Sequence, residues 1–118
     1  MDRELQDVTV KVRQDVFLYN MEILRKYIEL CQRHGAKPIA VIFPFSPIIR
    51  DRYPQEPLRE CREVLSYFQE NMKLGIVDLF DMNLSYDYFY NLSHLNMRGS
   101  TAVSQCIAEQ LPILLRQE

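Results

Sequence analysis

Glycine, tryptophan and cysteine are scarce in this sequence, and charges of the two signs nearly balance. Its 118 residues include three glycines, three cysteines and no tryptophan. So little glycine excludes a collagen-like chain. The formal net charge of -2 leaves no excess of lysine and arginine for a phosphate backbone. We therefore predict that the protein does not bind nucleic acid.

The three cysteines have the spacing of neither a zinc site nor a disulfide framework. Cys31, Cys61 and Cys106 are 30 and 45 residues apart and form no C-x-x-C pair. Each falls on an apolar stripe of a predicted helix, so we predict small buried side chains. No other ligand cluster stands out, and the sequence predicts no metal and no cofactor.

Long apolar runs are also absent. No run reaches the roughly 18 residues that cross a bilayer. The opening stretch, MDRELQDVTVKVRQD, is charged and lacks the apolar segment of a signal peptide. The length and the 47% share of hydrophobic residues suit one compact core, so we predict a single domain over residues 1–118.

Apolar residues recur at helical spacing in three segments. The first covers residues 16–34 and precedes Gly35, a predicted C-cap. The second carries its stripe from Leu58 to Met72, and we predict that it ends at Gly75. The third is predicted from about Met97 to Leu111, with Asn96 as N-cap and Pro112 as its end or a kink.

Two short apolar runs between these helices are typical of strands buried on both faces. They are Ile39–Phe43 and Ile76–Phe80, and the proline-rich segment 46–57 predicts a loop. The order helix, strand, helix, strand, helix predicts an α/β fold with a parallel sheet. Residues 8–12 alternate in polarity, which predicts either a third strand or the start of the first helix.

Two parallel strands alone leave both edges of the sheet unpaired. We therefore expect the chain to be part of a larger sheet or to form a homodimer through its exposed sheet edge. His34, beside Gly35, is predicted to interact with the negative end of the first helix. Asp78 and Asp81 lie at and just after the end of the second strand, where we predict a turn or capping role, with a ligand site as the alternative.

The segment Tyr88–Gly99, with sequence YFYNLSHLNMRG, resembles the last sequence block of the SGNH (GDSL-type) hydrolase superfamily. In that block an Asp three residues before a His completes a Ser-His-Asp triad, and H-L-N-x-x-G opens the closing helix. The segments CQRHG, IAVIFPF and GIVDLF precede it in the order found in cell-envelope members, including the D-alanyl transfer (DltD-type) proteins. The resemblance covers residues 16–115.

The resemblance implies a three-layer, flavodoxin-like parallel-sheet fold, of which this chain is the C-terminal part. It implies an acyl-ester hydrolase or acyltransferase that acts on a cell-envelope polymer in an extracytoplasmic, membrane-anchored protein. His94 would be the general base, and Asn91 stands in the position of the Asp. Asn96 would cap the closing helix, and Gly99 would permit close packing in its first turn.

Two departures from the family pattern support a second hypothesis. An asparagine cannot offset imidazolium charge, and the Asp-to-Asn exchange in a serine protease triad costs about 10⁴ in kcat. The sequence also contains no Gly-Asp-Ser, so the nucleophile would lie on another segment and this chain alone is expected to be inactive. The alternative is a non-catalytic, truncated module that acts in binding or homodimeric assembly.

Three further side chains are candidates for contact with an acyl ester or polymer substrate. Ser46 follows the first predicted strand, at the edge of the sheet where open α/β folds place ligands. Tyr88 and Tyr90 belong to an aromatic group with Tyr86 and Phe89. This group is predicted to line an acyl or sugar pocket or, alternatively, to close the core.

Overall fold

A computed structural model of the protein describes residues 3–117, with side chains from residue 14 onward. The elements in chain order are α1 Arg3–Arg33, β1 Ile39–Ile42, α2 Pro47–Arg52, α3 Gln55–Met72, β2 Gly75–Asp78, a 3₁₀ turn Tyr86–Tyr88 and α4 Met97–Arg116. This set of helices and parallel strands confirms the α/β class. The chain forms two compact units, Met1–Ala36 and Lys37–Glu118.

The first unit is the helix α1 and its C-cap. Residues 8–12 belong to this helix, so the third-strand alternative is wrong and the helical one is confirmed. The helix ends in a Schellman motif, in which Gly35 has a φ of 74°. The Ala36 N–H donates to the Cys31 carbonyl at 2.9 Å, and the Gly35 N–H donates to the Gln32 carbonyl at 3.1 Å. The predicted cap at Gly35 is confirmed.

The second unit contains a two-stranded parallel sheet. Ile39 lies opposite Gly75, and Ile42 lies opposite Asp78. The pairing is prolonged at the carboxyl end, where the Leu79 N–H donates to the Ile42 carbonyl at 2.9 Å. The parallel pairing is confirmed, but burial on both faces is wrong for both strands. The four residues of β1 are all half-buried, and in β2 Gly75 and Val77 are buried while Ile76 is half-buried and Asp78 is exposed. Within residues 3–117 no third strand covers the outer edge of either strand.

The core of the second unit packs α4 against β2 and the segment that follows β2. Its buried members are Val77, Leu79, Leu84, Phe89, Val103 and Leu114. The apolar spacing of the third segment corresponds to a face of α4 that contacts the core, with Val103 buried and Cys106 and Ile107 half-buried. The prediction for the cysteines is wrong at Cys61, which is exposed on α3, whereas Cys31 and Cys106 are half-buried. Position 61 is three residues from buried Leu58 and four from buried Leu65, so it lies on the apolar stripe of α3, and helical spacing alone overstates its burial.

The segment predicted as a proline-rich loop contains the helix α2. Pro47 occupies its first turn, where a missing N–H costs no hydrogen bond. The Arg50 N–H donates to the Ser46 carbonyl at 2.9 Å, which closes that turn. Tyr53 is extended before Pro54, as the residue before a proline prefers, and the helix ends there.

Helix α4 continues through Pro112 to Arg116, so the predicted stop at Pro112 is wrong. Two interactions stabilise the turn beyond the proline. Leu114 is buried in the core, and the Lys37 ammonium donates to the carbonyls of Leu114 at 2.7 Å and Gln117 at 2.8 Å. A cation there also complements the negative end of the helix.

Helix α3 ends at Met72, and not at Gly75, which is the first residue of β2. Lys73 ends the helix in the left-handed conformation, with a φ of 59° and a ψ of 34°. The Leu74 N–H then donates to the Phe68 carbonyl at 3.3 Å. A side chain in this region costs about 1 kcal/mol relative to the right-handed helical region.

We expect Lys73→Gly to raise the free energy of unfolding by about 0.5–1 kcal/mol, because glycine adopts the left-handed conformation without that cost. Urea denaturation followed by circular dichroism measures the change. As a control, Glu70→Gly in the same helix should lower the free energy of unfolding by about 1 kcal/mol. Destabilisation by both variants would contradict the assignment of strain to Lys73.

No helix within the described residues is both long enough and apolar enough to cross a membrane.

Candidate functional site

The histidine of the sequence motif lies on a short closed loop, which we call the His94 loop (residues 89–95). Phe89 and Leu95 form an antiparallel bridge at its base, and the Tyr90 N–H donates to the His94 carbonyl at 2.8 Å. At the tip, Asn91 Oδ1 accepts from the N–H groups of Ser93 at 3.1 Å and His94 at 2.9 Å. This side-chain turn is typical of asparagine and holds the loop in one shape.

The same asparagine oxygen contacts the imidazole of His94. Asn91 Oδ1 lies 2.9 Å from His94 Nδ1. Because two backbone N–H groups point at this atom of Asn91, it is the amide oxygen and can only accept. His94 Nδ1 therefore carries the proton, and Ser93 Oγ, at 3.2 Å, is a second neighbour of the same nitrogen.

In the neutral imidazole of His94, the other ring nitrogen, Nε2, then has the lone pair. No hydrogen bond to Nε2 is formed within residues 14–117, and the side chain is exposed. An imidazole held in this tautomer can take a proton from a hydroxyl at Nε2, which is what a general base in acyl transfer does. The structure therefore brings the side chains of His94 and Asn91 into direct hydrogen-bond contact.

Asn96 connects the His94 loop to the start of α4. Its Oδ1 accepts from the Gly99 N–H at 2.9 Å, which confirms the predicted N-cap. Its Nδ2 donates to the Asp87 carbonyl at 2.8 Å, and its backbone N–H donates to the Tyr88 carbonyl at 3.0 Å. One side chain thus joins the helix to the 3₁₀ turn before the loop.

Gly99 permits a close approach of the backbone at this junction. A Cβ at Gly99 would lie 2.1 Å from the carbonyl oxygen of Tyr88 and 2.9 Å from Leu95 Cδ2. Real side chains do not approach a backbone oxygen so closely, so only glycine fits without a shift of the chain. The predicted packing role of Gly99 is confirmed.

The His94 loop lies beside the segment that follows β1. The Ser46 N–H donates to the Leu92 carbonyl at 3.3 Å, so the loop meets the chain near the carboxyl end of the first strand. Parallel α/β sheets bind ligands at this end. Ser46 itself is fully buried, and its hydroxyl has no hydrogen-bond partner among the described residues. Its predicted contact with substrate stays a prediction.

A pocket of about 280 Å³ lies between α2 and the His94 loop. Its lining residues are Ile48, Ile49, Arg52, Tyr53, Pro54 and Leu92. Leu92 precedes His94 by two residues, which places this mostly apolar pocket next to the imidazole-bearing loop. It has room for a small apolar group, and Arg52 supplies one positive charge.

The four aromatic residues around the motif have different environments. Phe89 is buried in the core, as expected if this residue closes the core and does not line a pocket. Tyr88 is half-buried, with the Arg98 guanidinium 4.3 Å from its ring centroid. Tyr90 is 82% exposed, and Tyr86 is exposed too. A substrate-binding role for Tyr88 and Tyr90 stays a prediction.

Sequence reasoning missed an ion-pair cluster beside β2. Arg62 of α3 donates to Asp78 at 2.7 Å and to Asp81 at 3.2 Å. Asp78 also accepts from the Phe80 N–H at 3.1 Å, so its predicted turn role is confirmed. The Asp78 carboxylate raises the pKa of the Arg62 guanidinium above its ordinary value, chiefly through their hydrogen bond. Arg62 is 16 residues from Asp78 and 19 from Asp81 in the sequence, so no local sequence pattern predicts the cluster.

An aromatic cluster next to these ion pairs was also missed. The rings of Phe45 and Tyr53 stack with their centroids 5.6 Å apart, and Phe80 packs edge-on against both. The sequence feature that could have predicted this cluster is an aromatic residue two or three positions after each strand, Phe45 after β1 and Phe80 after β2. These rings cover the carboxyl end of the sheet on the side of α2 and α3.

Among the side chains described, no group of three or more His, Cys, Asp or Glu residues could hold a metal ion. Comparison of the chain with protein-family models, with curated proteins and with solved structures found no match.

Proposed function

We propose that this chain is the C-terminal portion of an SGNH-like acyl-ester hydrolase or acyltransferase that acts on a cell-envelope polymer. In this proposal it supplies His94 as the general base. The observation that carries the proposal is the 2.9 Å hydrogen bond between His94 Nδ1 and Asn91 Oδ1. It joins the histidine of H-L-N-x-x-G to the residue three positions before it, the two positions that correspond in the resembled block to the base and its orienting residue.

The proposed chemistry is general-base catalysis of acyl transfer. A serine hydroxyl from a segment outside these 118 residues attacks the ester carbonyl while His94 Nε2 takes its proton. The imidazolium then returns this proton to the leaving alkoxide. Asn91 fixes the tautomer throughout, but its amide supplies a dipole where a carboxylate would supply a full charge. We therefore expect slower turnover than a triad with aspartate would give.

The pocket beside the His94 loop supports a short acyl group as the transferred unit. Its volume of about 280 Å³ is slightly smaller than that of typical ligand pockets, which begin at about 300 Å³. Its lining is mostly aliphatic and aromatic. Arg52 at this pocket favours a substrate that carries an anionic group near the ester. A charged envelope polymer bearing small acyl substituents has both properties.

The same proposal includes the three-layer fold and the extracytoplasmic, membrane-anchored location that the resemblance implies. Additional strands would pair with the open edges of the β1–β2 sheet. The nucleophile would follow one of those strands, at the same carboxyl edge as Ser46 and the His94 loop.

The test is the complete gene product and its activity. We expect the reading frame to include an N-terminal segment with Gly-Asp-Ser, and the complete protein to hydrolyse p-nitrophenyl acetate. The 118-residue chain alone is expected to be inert. A complete gene product that lacks Gly-Asp-Ser and does not hydrolyse the ester would overturn the catalytic proposal.

The second candidate is a non-catalytic module for binding or homodimeric assembly. It is favoured by Asn91 in place of aspartate and by the unpaired outer edges of the two-stranded sheet within residues 3–117. In that case the dimer would pair the exposed sheet edges. The candidates differ in one result: only the first requires ester turnover that depends on His94.

A further inference from the structure

Helix α1 carries an exposed apolar stripe with a regular repeat. Apolar residues recur in steps of three, four and four, and the described members are Val16, Tyr19, Ile23, Tyr27 and Leu30. All five are between 46% and 68% exposed. The sequence continues the same spacing towards its beginning at Leu5, Val8 and Val12, so the pattern repeats every 11 residues.

An 11-residue repeat corresponds to about 3.67 residues per turn, close to the value of an undistorted helix. Such a stripe stays on one side of the helix, whereas a heptad stripe drifts around it. From Leu5 to Leu30 it would extend for about 38 Å along α1. A partner that follows the stripe along this length needs the same repeat, and a second copy of α1 has it.

Among residues 14–33, charged residues accompany only one side of the stripe; Arg13, whose side chain lies outside the described residues, has a sequence position on the other side. Asp15, Glu22, Lys26 and Arg33 are each three or four residues from a stripe residue on that side. The opposite side carries the uncharged residues Asn20, Leu24 and Cys31. A parallel pair would place the charged side of one helix against the uncharged side of the other. An antiparallel pair places charged side against charged side.

The order of these charges also suits an antiparallel pair. Along the helix they run acidic, acidic, basic, basic, so reversal of one helix places Asp15 near Arg33 and Glu22 near Lys26. The Arg25 hydrogen bond lowers the pKa of Glu22 below its ordinary value, so this carboxylate is charged at neutral pH. Opposite charges across such a pair select orientation and register.

We propose that α1 binds α1 of a second copy of this chain in an antiparallel pair, with the two-fold axis at Ile23. Val16 then faces Leu30 of the second copy, and Tyr19 faces Tyr27. This interface is independent of the acyl-transfer proposal and uses a surface other than the sheet edge.

The oligomeric state of the 118-residue protein tests the interface. Sedimentation equilibrium should give a dimer of twice 14.1 kDa at micromolar concentration. Ile23→Glu should weaken the dimer at least about tenfold, because it buries two like charges at the axis. Leu18→Glu is the matched control on the other face of the helix: Leu18 is 64% exposed, and this change should leave the dissociation constant within about threefold.

A monomeric wild-type protein would overturn the proposal, as would equal weakening by the two glutamate variants. Circular dichroism shows whether each variant keeps its helix content, so a loss of dimer can be separated from a loss of fold.

Disulfide cross-linking tests the orientation. In a background of Cys31→Ala, Cys61→Ala and Cys106→Ala, Ile23→Cys should cross-link readily, because residue 23 faces itself at the axis. Val16→Cys should not cross-link, because residue 16 faces residue 30 of the second copy. The two cysteines at position 16 then lie too far apart along the helices for a disulfide. Efficient cross-linking through residue 16 would overturn the antiparallel arrangement.

Discussion

Gly99→Ala is expected to lower the free energy of unfolding by about 3 kcal/mol or more. The new methyl group would lie 2.1 Å from the Tyr88 carbonyl oxygen, a backbone atom that cannot rotate away. Relief requires the 3₁₀ turn to separate from α4. That movement breaks the hydrogen bonds of Asn96 to the Tyr88 and Asp87 carbonyls, so the expected loss combines steric and hydrogen-bond costs.

Urea denaturation measures this loss, and Gly35→Ala is the control with the same chemical change. At Gly35 no atom lies within 4 Å of an added Cβ, so only the positive φ of 74° opposes alanine. That backbone penalty is about 1 kcal/mol. Equal destabilisation at the two positions would show that the contact at Gly99 is not the tight one described.

His94→Ala is expected to reduce kcat/KM for ester hydrolysis by the complete protein by about 10²–10⁴, the range of a lost general base. His34→Ala is the control, since the sequence has two histidines and His34 is exposed beside the C-cap of α1. That variant should retain wild-type turnover. Equal turnover by His94→Ala and the wild type would remove His94 from the mechanism.

Nitrogen NMR of the imidazole tests the orienting role of Asn91 even in the isolated chain. The spectrum should show His94 protonated at Nδ1, because Asn91 Oδ1 can accept a hydrogen bond from this nitrogen only when it carries a proton. Asn91→Ala should shift the population towards the ordinary tautomer mixture, while Asn91→Asp should keep the Nδ1–H form. In the complete protein, Asn91→Asp should raise kcat, because a carboxylate stabilises the imidazolium. An Nε2–H tautomer in the wild type would contradict the assignment.

The local features were predictable where a few neighbouring residues determine them. The cap at Asn96 requires a short acceptor side chain one residue before the helix, and the cap at Gly35 requires a positive φ. Both are encoded in fewer than ten residues. The pairing of β1 with β2 followed from their order and apolar composition, since a helix between two strands favours a parallel connection.

Features that depend on distant residues were not predictable. Pro112 ends a helix in isolation, yet α4 passes through it because Lys37 and the core stabilise the next turn. The Arg62 ion pairs join α3 to Asp78, the last residue of β2, and to Asp81 beyond it, and no spacing rule relates them. The His94–Asn91 contact was predictable only in part. Their separation of three residues in the sequence suggests a contact, but only the folded turn determines that the amide oxygen of Asn91, and not its nitrogen, faces the imidazole.

The double attachment of Asn96 has a consequence for the motion of His94. The Tyr88 carbonyl is bound by the Asn96 N–H, and the Gly99 amide is bound by the Asn96 side chain. The base of the loop and the first turn of α4 are therefore attached to one residue, and displacement of Asn96 loosens both. We expect fraying of the helix end and displacement of the imidazole to be coupled.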